Sequence, residues 1–245
     1  MEKPQSSELV TVKIDNITFD MGGYYGDYIT NVIKKYGCWE PFITRHFSDL
    51  IKSDPSLKFG DIGACFGYYS LIHQCFSSAA CIAVEPNPVT HEILKYNMQS
   101  RNNVTLYLNA IGNPGQVDLG FNPQNIGGAR RSITNNKFYT TKLPLLDIAD
   151  GLNILKIDVE GAELEVLNSG IPNSVKYIYL ELSPVICGYD DCEKIIKVLT
   201  DASFELFDLR CIEQGVLPEA APMTRFSLDQ LHSISIQTNL FAKRC

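Results

Sequence analysis

From residue 57 onward the chain alternates short apolar runs with amphipathic stretches, and this constrains the fold more than any other feature. "LKFGDI" leads into a glycine loop and then "GYYSLIHQCF". "ACIAVE" leads into a helical pattern over about 88–100, and "VTLYLNAI" reads as a third strand. "NILKIDV" precedes a short helix, and "VKYIYLEL" precedes a helical pattern over about 190–202. Short apolar strands alternating with helices predict a mostly parallel sheet with helices on both faces. Right-handed crossovers restrict how the units wind. "FELFDL" and "TNLFAK" come last, with only "FSLDQLHS" as a helical pattern between them, and are expected to pair antiparallel at the sheet edge. The polar, glycine-rich interval over about 113–136 has room for one or two extra strands. Ahead of the sheet, residues 9–20 alternate like a hairpin turning at Asp15-Asn16. Gly22, Gly23 and Gly26 are then expected to break the chain before helices over about 27–36 and 40–53.

In such sheets ligands bind beyond the carboxyl ends of the strands, near the switch in strand order. That rule selects the loops after Asp61, Val84 and Asp158. The first loop, "FGDIGACFGYYS", has the spacing D-x-G-x-x-x-G with Asp61, Gly63 and Gly67, and Cys65 at its centre. Its glycines allow a tight turn and a close ligand. It lacks the G-x-G-x-x-G of a diphosphate-binding turn, and an acid at its start suits a cationic ligand better than an anionic one. The second strand ends at Glu85, 85 − 61 = 24 positions later, followed by Pro86. A carboxylate there can accept hydrogen bonds from two ribose hydroxyls. A ribose without a diphosphate, joined to a positive end, points to S-adenosylmethionine. The plainer alternative is an acidic cap at Asp61 and a solvent-facing Glu85.

The stretch "ILKIDVEGAELEVL" concentrates charge where a buried strand becomes a helix. Strand alternation puts Lys156 and Asp158 on one side. A buried strand end has no cheap use for a lone carboxylate. Glu160, Glu163 and Glu165 also have a plain reading, as acids favoured by the helix dipole.

These motifs, "GDIGACFGYYSL", "AVEPNP", "NAIG" and "LKIDVEGAELEVL", together with the earlier "GCWEP", resemble the FkbM-type S-adenosylmethionine-dependent methyltransferases in the family's order over about residues 36–182. The resemblance implies an α/β class I methyltransferase (Rossmann-like) fold with a seven-stranded, mostly parallel sheet whose last strand is inserted antiparallel. It implies cofactor contacts at Asp61, Gly63, Gly67 and Glu85, with Asn109 and Ala110 near the adenine, and Glu40 as a further acid on the cofactor side. Cys65 stands where the family often has Asn, so its side-chain contact stays open. The resemblance also implies O-methylation of a hydroxyl, often on a sugar or polyketide. Residues 57–245 are then the S-adenosylmethionine-binding domain, and residues 1–56 a hairpin and helices packing on or capping its site, as one structural unit.

Within that chemistry Asp158 is expected nearest the reacting centre, holding the acceptor hydroxyl or the cofactor's amino end. Glu160 is the candidate base and Glu181, ending "YIYLEL", a second. Lys156 either pairs with Asp158 or holds the acceptor oxygen. Two acids at one strand end could instead hold Mg²⁺, an alternative kept but not favoured. "NIGGARRS", Asn125 to Ser132, with Arg130 and Arg131, reads equally as a lid or acceptor loop or as a solvated loop; Tyr24, Tyr25 and Tyr28 read as core or as a cover for a sugar ring, and Trp39 as core. His46, His73, His91 and His232 form no cluster.

The net charge of −7 argues against a nucleic-acid partner and so against the rival reading, a ribose 2′-O-methyltransferase of RNA. A non-catalytic cofactor-binding scaffold is the other rival, and a nicotinamide oxidoreductase is disfavoured by the loop spacing. The N-terminus shows no secretory signal, and no run approaches a membrane span. Eight cysteines without a C-x-x-C pair read as free thiols in a reducing cytoplasm. The expected partner is a small-molecule or glycan acceptor; the oligomeric state is open.

Overall fold

The computed structural model describes residues 2–209 and 223–245; Cys211 lies outside them. An N-terminal hairpin, β1 (Ser7–Ile14) and β2 (Ile17–Tyr24), precedes helices α1 (Tyr28–Tyr36) and α2 (Pro41–Ser53). Then follow β3 (Phe59–Ile62), α3 (Tyr68–Phe76), β4 (Cys81–Val84), α4 (Pro88–Met98) and β5 (Val104–Tyr107). The next stretch holds β6 (Ala110–Ile111), β7 (Gly115–Asn122), β8 (Asn125–Arg130), β9 (Phe138–Leu143) and α5 (Leu145–Ile148). The chain re-enters the main sheet with β10 (Ile154–Ile157), α6 (Glu163–Asn168), β11 (Tyr177–Leu182), α7 (Pro184–Cys187) and α8 (Tyr189–Asp201). It ends with β12 (Phe204–Asp208), β13 (Thr224–Arg225), a 3₁₀ turn (Leu228–Ser233) and β14 (Thr238–Arg244).

The main sheet has the order β13-β12-β14-β11-β10-β3-β4-β5. The pairs from β11 through β10, β3 and β4 to β5 are parallel, whereas β14 runs antiparallel to both neighbours. β14 is therefore inserted between β11 and β12 and does not lie at the edge. Two-residue β13 adds an eighth strand to the seven expected. Strands β3, β4 and β10 are buried along their whole length, as a sheet covered on both faces requires. One core carries Phe47, Phe59, Tyr69, Ile154 and Tyr179; the other carries Leu155, Ile157, Val166, Ile178 and Ile195.

The hairpin turns at Asp15-Asn16, with Ile14 paired to Ile17. Gly22 and Gly23 do not break the chain; both lie inside β2. A Cβ on Gly23 would come within 2.4 Å of Thr30 Oγ1, so the glycine lets α1 sit directly on the strand. Asn97 on α4 accepts from Gly22 N–H at 2.7 Å and donates to Gly22 O and Phe66 O, tying the hairpin to the loop after β3.

The expected strand "VTLYLNAI" divides. β5 joins the main sheet, and β6 joins a second sheet of order β6-β9-β7-β8. Asn109 stands at the crossing and donates to Thr141 Oγ1 at 2.8 Å. The second sheet rises over the carboxyl ends of the main strands. Asp27 caps α1 through Thr30 N–H and also accepts from Ile126 N–H at 2.9 Å, which fixes β8 against the N-terminal segment.

Candidate active site

The strand order reverses between β3 and β10, which pair in register from Phe59 and Ile154. Their ends stay close: Asp158 N–H donates to Ile62 O at 3.0 Å. Gly63 follows with φ +85°, and a Cβ there would lie 1.8 Å from Asp158 O. No residue but glycine lets the two strand ends meet this closely. Above this point are two connected chambers. One, of about 210 Å³, is lined by Gly63, Glu85, Pro86, Asn109 and Ala110, with Lys142 and Glu165 at its far end. The other is lined by Tyr28, Trp39, Glu40, Cys65 and Glu181. Gly63, Gly127, Arg130, Asp158, Glu160 and Ile186 line both and form the neck between them.

In the first chamber Glu85 Oε2 accepts from Cys65 N–H at 2.8 Å and Oε1 from Asn87 N–H at 2.9 Å. Burial pushes its carboxyl up to about 7 against those donors. Asp61 and Gly67, both expected to touch a cofactor, line neither chamber. Asp61 accepts from Ser70 N–H and Ser70 Oγ, at 3.1 and 2.7 Å, and so anchors the first turn of α3. Gly67, at φ +82°, makes room for Leu94 and Met98 on α4.

Beneath and along the second chamber strand alternation produces the charge cluster. Asp61, Lys156 and Tyr179 sit side by side on one face of β3, β10 and β11, and Asp158 and Glu181 continue that face to the strand ends. Lys156, 5 % exposed, donates to Asp158 Oδ2 at 2.6 Å and lies 4.8 Å from the centre of the Tyr69 ring. Burial works against its charge, but Asp158 and Glu40 outweigh burial and hold its pKa above the ordinary lysine value. Glu40 accepts from Tyr69 OH at 2.7 Å. Burial raises its carboxyl, with the Lys156 charge pulling the other way.

Glu160 sits at the neck with φ +55°, 3.4 Å from Arg130 Nη1. Burial, then the Asp158 charge, pushes it up to about 7 despite Arg130. Glu181 accepts from Gln237 Nε2 at 3.2 Å. Burial and four surrounding acids, Asp158 first, raise it well above the carboxylate range. Glu163 instead closes the strand-to-helix turn, accepting from Val159 N–H and Gly161 N–H at 3.1 and 3.2 Å. Glu165 binds Lys142 and Arg131, each at 2.5 Å. The four histidines line neither chamber.

Residues 61–206 match the family described as Methyltransferase FkbM domain. The chain belongs to this family. The FkbM domain thus takes in both strand ends of the site but not Glu40. Hexuronic acid methyltransferase AglP of Haloferax volcanii is 26 % identical over 149 residues, 58 % of this chain and 61 % of that protein. The chain therefore matches about three fifths of the length of that curated relative. Precorrin-6y C5,15-methyltransferase of Geobacter metallireducens GS-15 is similar in structure, with TM-score 0.50 and 14 % identity, over 87 % of this chain and 96 % of that one. The likeness identifies the class I methyltransferase fold.

For this FkbM-family chain the structure brings Glu40, Gly63, Cys65, Glu85, Pro86, Asn109, Ala110, Lys156, Asp158, Glu160 and Glu181 to one connected region, Lys156 just beneath its surface. Of the neck residues, Gly127 and Arg130 lie in the stretch that the sequence offered as a lid or acceptor loop, whereas Ile186 was not singled out. "NIGGARRS" supplies the first two as strand β8, not as a loop. Ile186 carries no chemical signal at all. Among the described residues no group of three or more His, Cys, Asp or Glu is placed to hold a metal ion, and no helix is long and apolar enough to cross a membrane.

Proposed function

We propose that the chain is an S-adenosylmethionine-dependent O-methyltransferase acting on a hydroxyl of a sugar or glycan. The observation that carries the reading is the meeting of Asp158 and Glu160 at the neck between the two chambers. The donor set fits the cofactor. Glu85, beside Pro86, Asn109 and Ala110, would hold the ribose hydroxyls and border the adenine. Glu40 and Asp158 would hold the positive amino end. The two cations among the second chamber's acids, Arg130 and Lys156, are each paired with a carboxylate, Glu160 and Asp158, which suits a sulfonium better than a diphosphate. When bound, S-adenosylmethionine supplies an electrophilic methyl carbon.

The chain's own residues align the acceptor and manage its proton. Glu160, held near 7, is matched to removing the hydroxyl proton at neutral pH. Glu181, its carboxyl raised by burial and its acidic neighbours, lines the same chamber and is placed to hydrogen-bond the acceptor. Lys156 reaches the reaction through Asp158, holding that carboxylate in place. Residues 1–56 complete the site as one unit with the domain, because Tyr28, Trp39 and Glu40 form its outer wall. The edge-to-face pair Tyr28–Trp39, with centroids 5.9 Å apart, offers an aromatic surface to a sugar ring. The name of the Haloferax relative also favours a sugar acceptor. Free thiols at the seven described cysteines suit a cytoplasmic setting.

The test is transfer of labelled methyl from the cofactor to fractionated glycans, lipids and RNA. Label should enter glycan, and Asp158→Asn and Glu160→Gln should each lower turnover about tenfold or more with the fold intact. Full activity in both variants, or label confined to RNA, would overturn the assignment.

A further inference from the structure

Two cysteines beside the site do not behave as isolated thiols. Cys187 ends α7 and Cys192 lies in the first turns of α8, and their sulfurs are 3.3 Å apart. Cys192 is fully buried, whereas Cys187 is half-buried and reaches the surface. The two therefore divide naturally into an accessible thiol and a sheltered one. Their spacing, five residues across Gly188, is not a redox or zinc motif, so only the fold reveals the pair. The hydrogen bond from Cys192 lowers the Cys187 pKa and raises that of Cys192, which favours thiolate at the accessible position.

We propose that Cys187 and Cys192 form a peroxide-reactive dithiol whose closure to a disulfide reshapes the wall of the active site. The Cys187 thiolate attacks one oxygen of a hydroperoxide. The O–O bond breaks, hydroxide or alkoxide leaves and takes up a proton, and sulfur becomes a sulfenic acid. Cys192 then attacks that sulfur, the S–O bond breaks, and the departing hydroxide takes the Cys192 proton to leave as water. In sum two thiols are oxidised and one peroxide is reduced.

Closure must draw the sulfurs from 3.3 Å to about 2.05 Å. The α7 turn has to yield, because Cys192 sits on the longer helix α8 inside the core. Ile186 precedes Cys187, lines both chambers, and packs so tightly on Gly161 that a Cβ there would lie 2.6 Å from Ile186 Cγ2. Gly161 follows Glu160. The chain thus links the dithiol to the neck in two steps, Cys187 to Ile186 and Ile186 to Gly161. This regulatory reading rests on the proposed function for its effect on methyl transfer, but not for its chemistry.

The experiment treats the reduced full chain with hydrogen peroxide and reads three signals. Intact mass after alkylation should show two hydrogens lost, with a peptide cross-link between residues 187 and 192. Emission of Trp39, the single tryptophan, in the same chamber wall as Ile186, should shift and return with dithiothreitol. Cofactor-dependent methyl transfer should fall about tenfold or more and return likewise, since sub-ångström to 1 Å displacements at reacting groups have effects of that order. Cys187→Ser and Cys192→Ala should show none of these changes; the alanine avoids burying a new hydroxyl at residue 192. No cross-link between these residues would overturn the dithiol. A cross-link that leaves Trp39 emission and turnover as in the variants would overturn its link to the site. A reduced chain that transfers no methyl would count against the proposed function alone, while mass and emission still decide this one.

Discussion

Replacing Lys156 by Met removes the positive charge on which the site's electrostatics rest. Lys156 and Asp158 have side chains 7 % and 23 % exposed, and their ion pair spans 2.6 Å. Deleting one partner of a buried pair typically costs about 3–5 kcal/mol, because the other charge stays behind uncompensated. Asp158 keeps some contact with water, so the low end, about 3 kcal/mol, is expected here. The methionine restores the volume of the lysine stem, which leaves the charge as the main change. For a chain of this size that loss should lower the melting temperature by about 6–12 °C. Lys156 has a raised folded pKa, so its stabilisation is complete below the unfolded lysine value and is lost only as pH rises through the folded one. Circular dichroism melts at pH 7.5 therefore read the full effect. Lys156→Met/Asp158→Asn removes both charges and should regain at least about 1 kcal/mol over Lys156→Met. A melting temperature unchanged in Lys156→Met, or a double variant no more stable than the single, would refute the view of Lys156 as the counter-charge of this cluster.

Three further outcomes follow from the same geometry. Glu85→Gln should flatten the pH dependence of stability between about 4.5 and 7: burial raises Glu85, the folded chain holds a proton the unfolded chain has released, and wild-type stability falls as pH rises through that window, as urea titrations at several pH values would show. Glu160→Gln should remove a rise in turnover centred near pH 7 in the pH–rate profile, because the base form of Glu160 grows as pH rises through about 7. Gly63→Ala should cost about 2–5 kcal/mol in chemical denaturation, from the left-handed backbone and from overlap with an unyielding carbonyl, and should suppress methyl transfer. Gly67→Ala meets only the movable ends of Leu94 and Met98, so it should lose less stability and keep more activity.

Much of the main sheet was legible because buried parallel strands have a plain signature: β3, β4 and β10 are four-residue runs, apolar but for Asp61 and Lys156, each followed by an acid or a glycine. The second sheet was not. Its strands β7 and β8 alternate exposed and buried positions among glycines, a pattern that loops share. The inserted position of β14 was also hidden from local pattern, since periodicity says nothing about which neighbour a strand chooses. The acids were found because a carboxylate at a buried strand end demands a reason. Their division of labour was not visible. Asp61 and Glu163 turn out to accept hydrogen bonds from the chain itself, from Ser70 and from the 159–161 turn, and a sequence does not tell an inward carboxylate from one facing a cavity.

Backbone conformation shows the same limit and also why it matters. Six described residues other than glycine have φ in the left-handed region, and three of them, Glu40, Cys65 and Glu160, line the second chamber. Nothing in their identity predicts it, because the residues that favour this region are Gly, Asn and Asp. Each costs of order 1–3 kcal/mol unless its surroundings hold it in place. Here the holding contacts are visible for all three. The turn at Cys65 aims its N–H at Glu85, the turn at Glu40 brings its carboxylate to Tyr69 and Lys156, and the turn at Glu160 sets its side chain beside Arg130 at the neck. Strain spread at random would not collect around one cavity. Its concentration there is what a preorganised site requires: the chain holds three groups in positions that local preference would not choose, so that they stand ready before any ligand arrives.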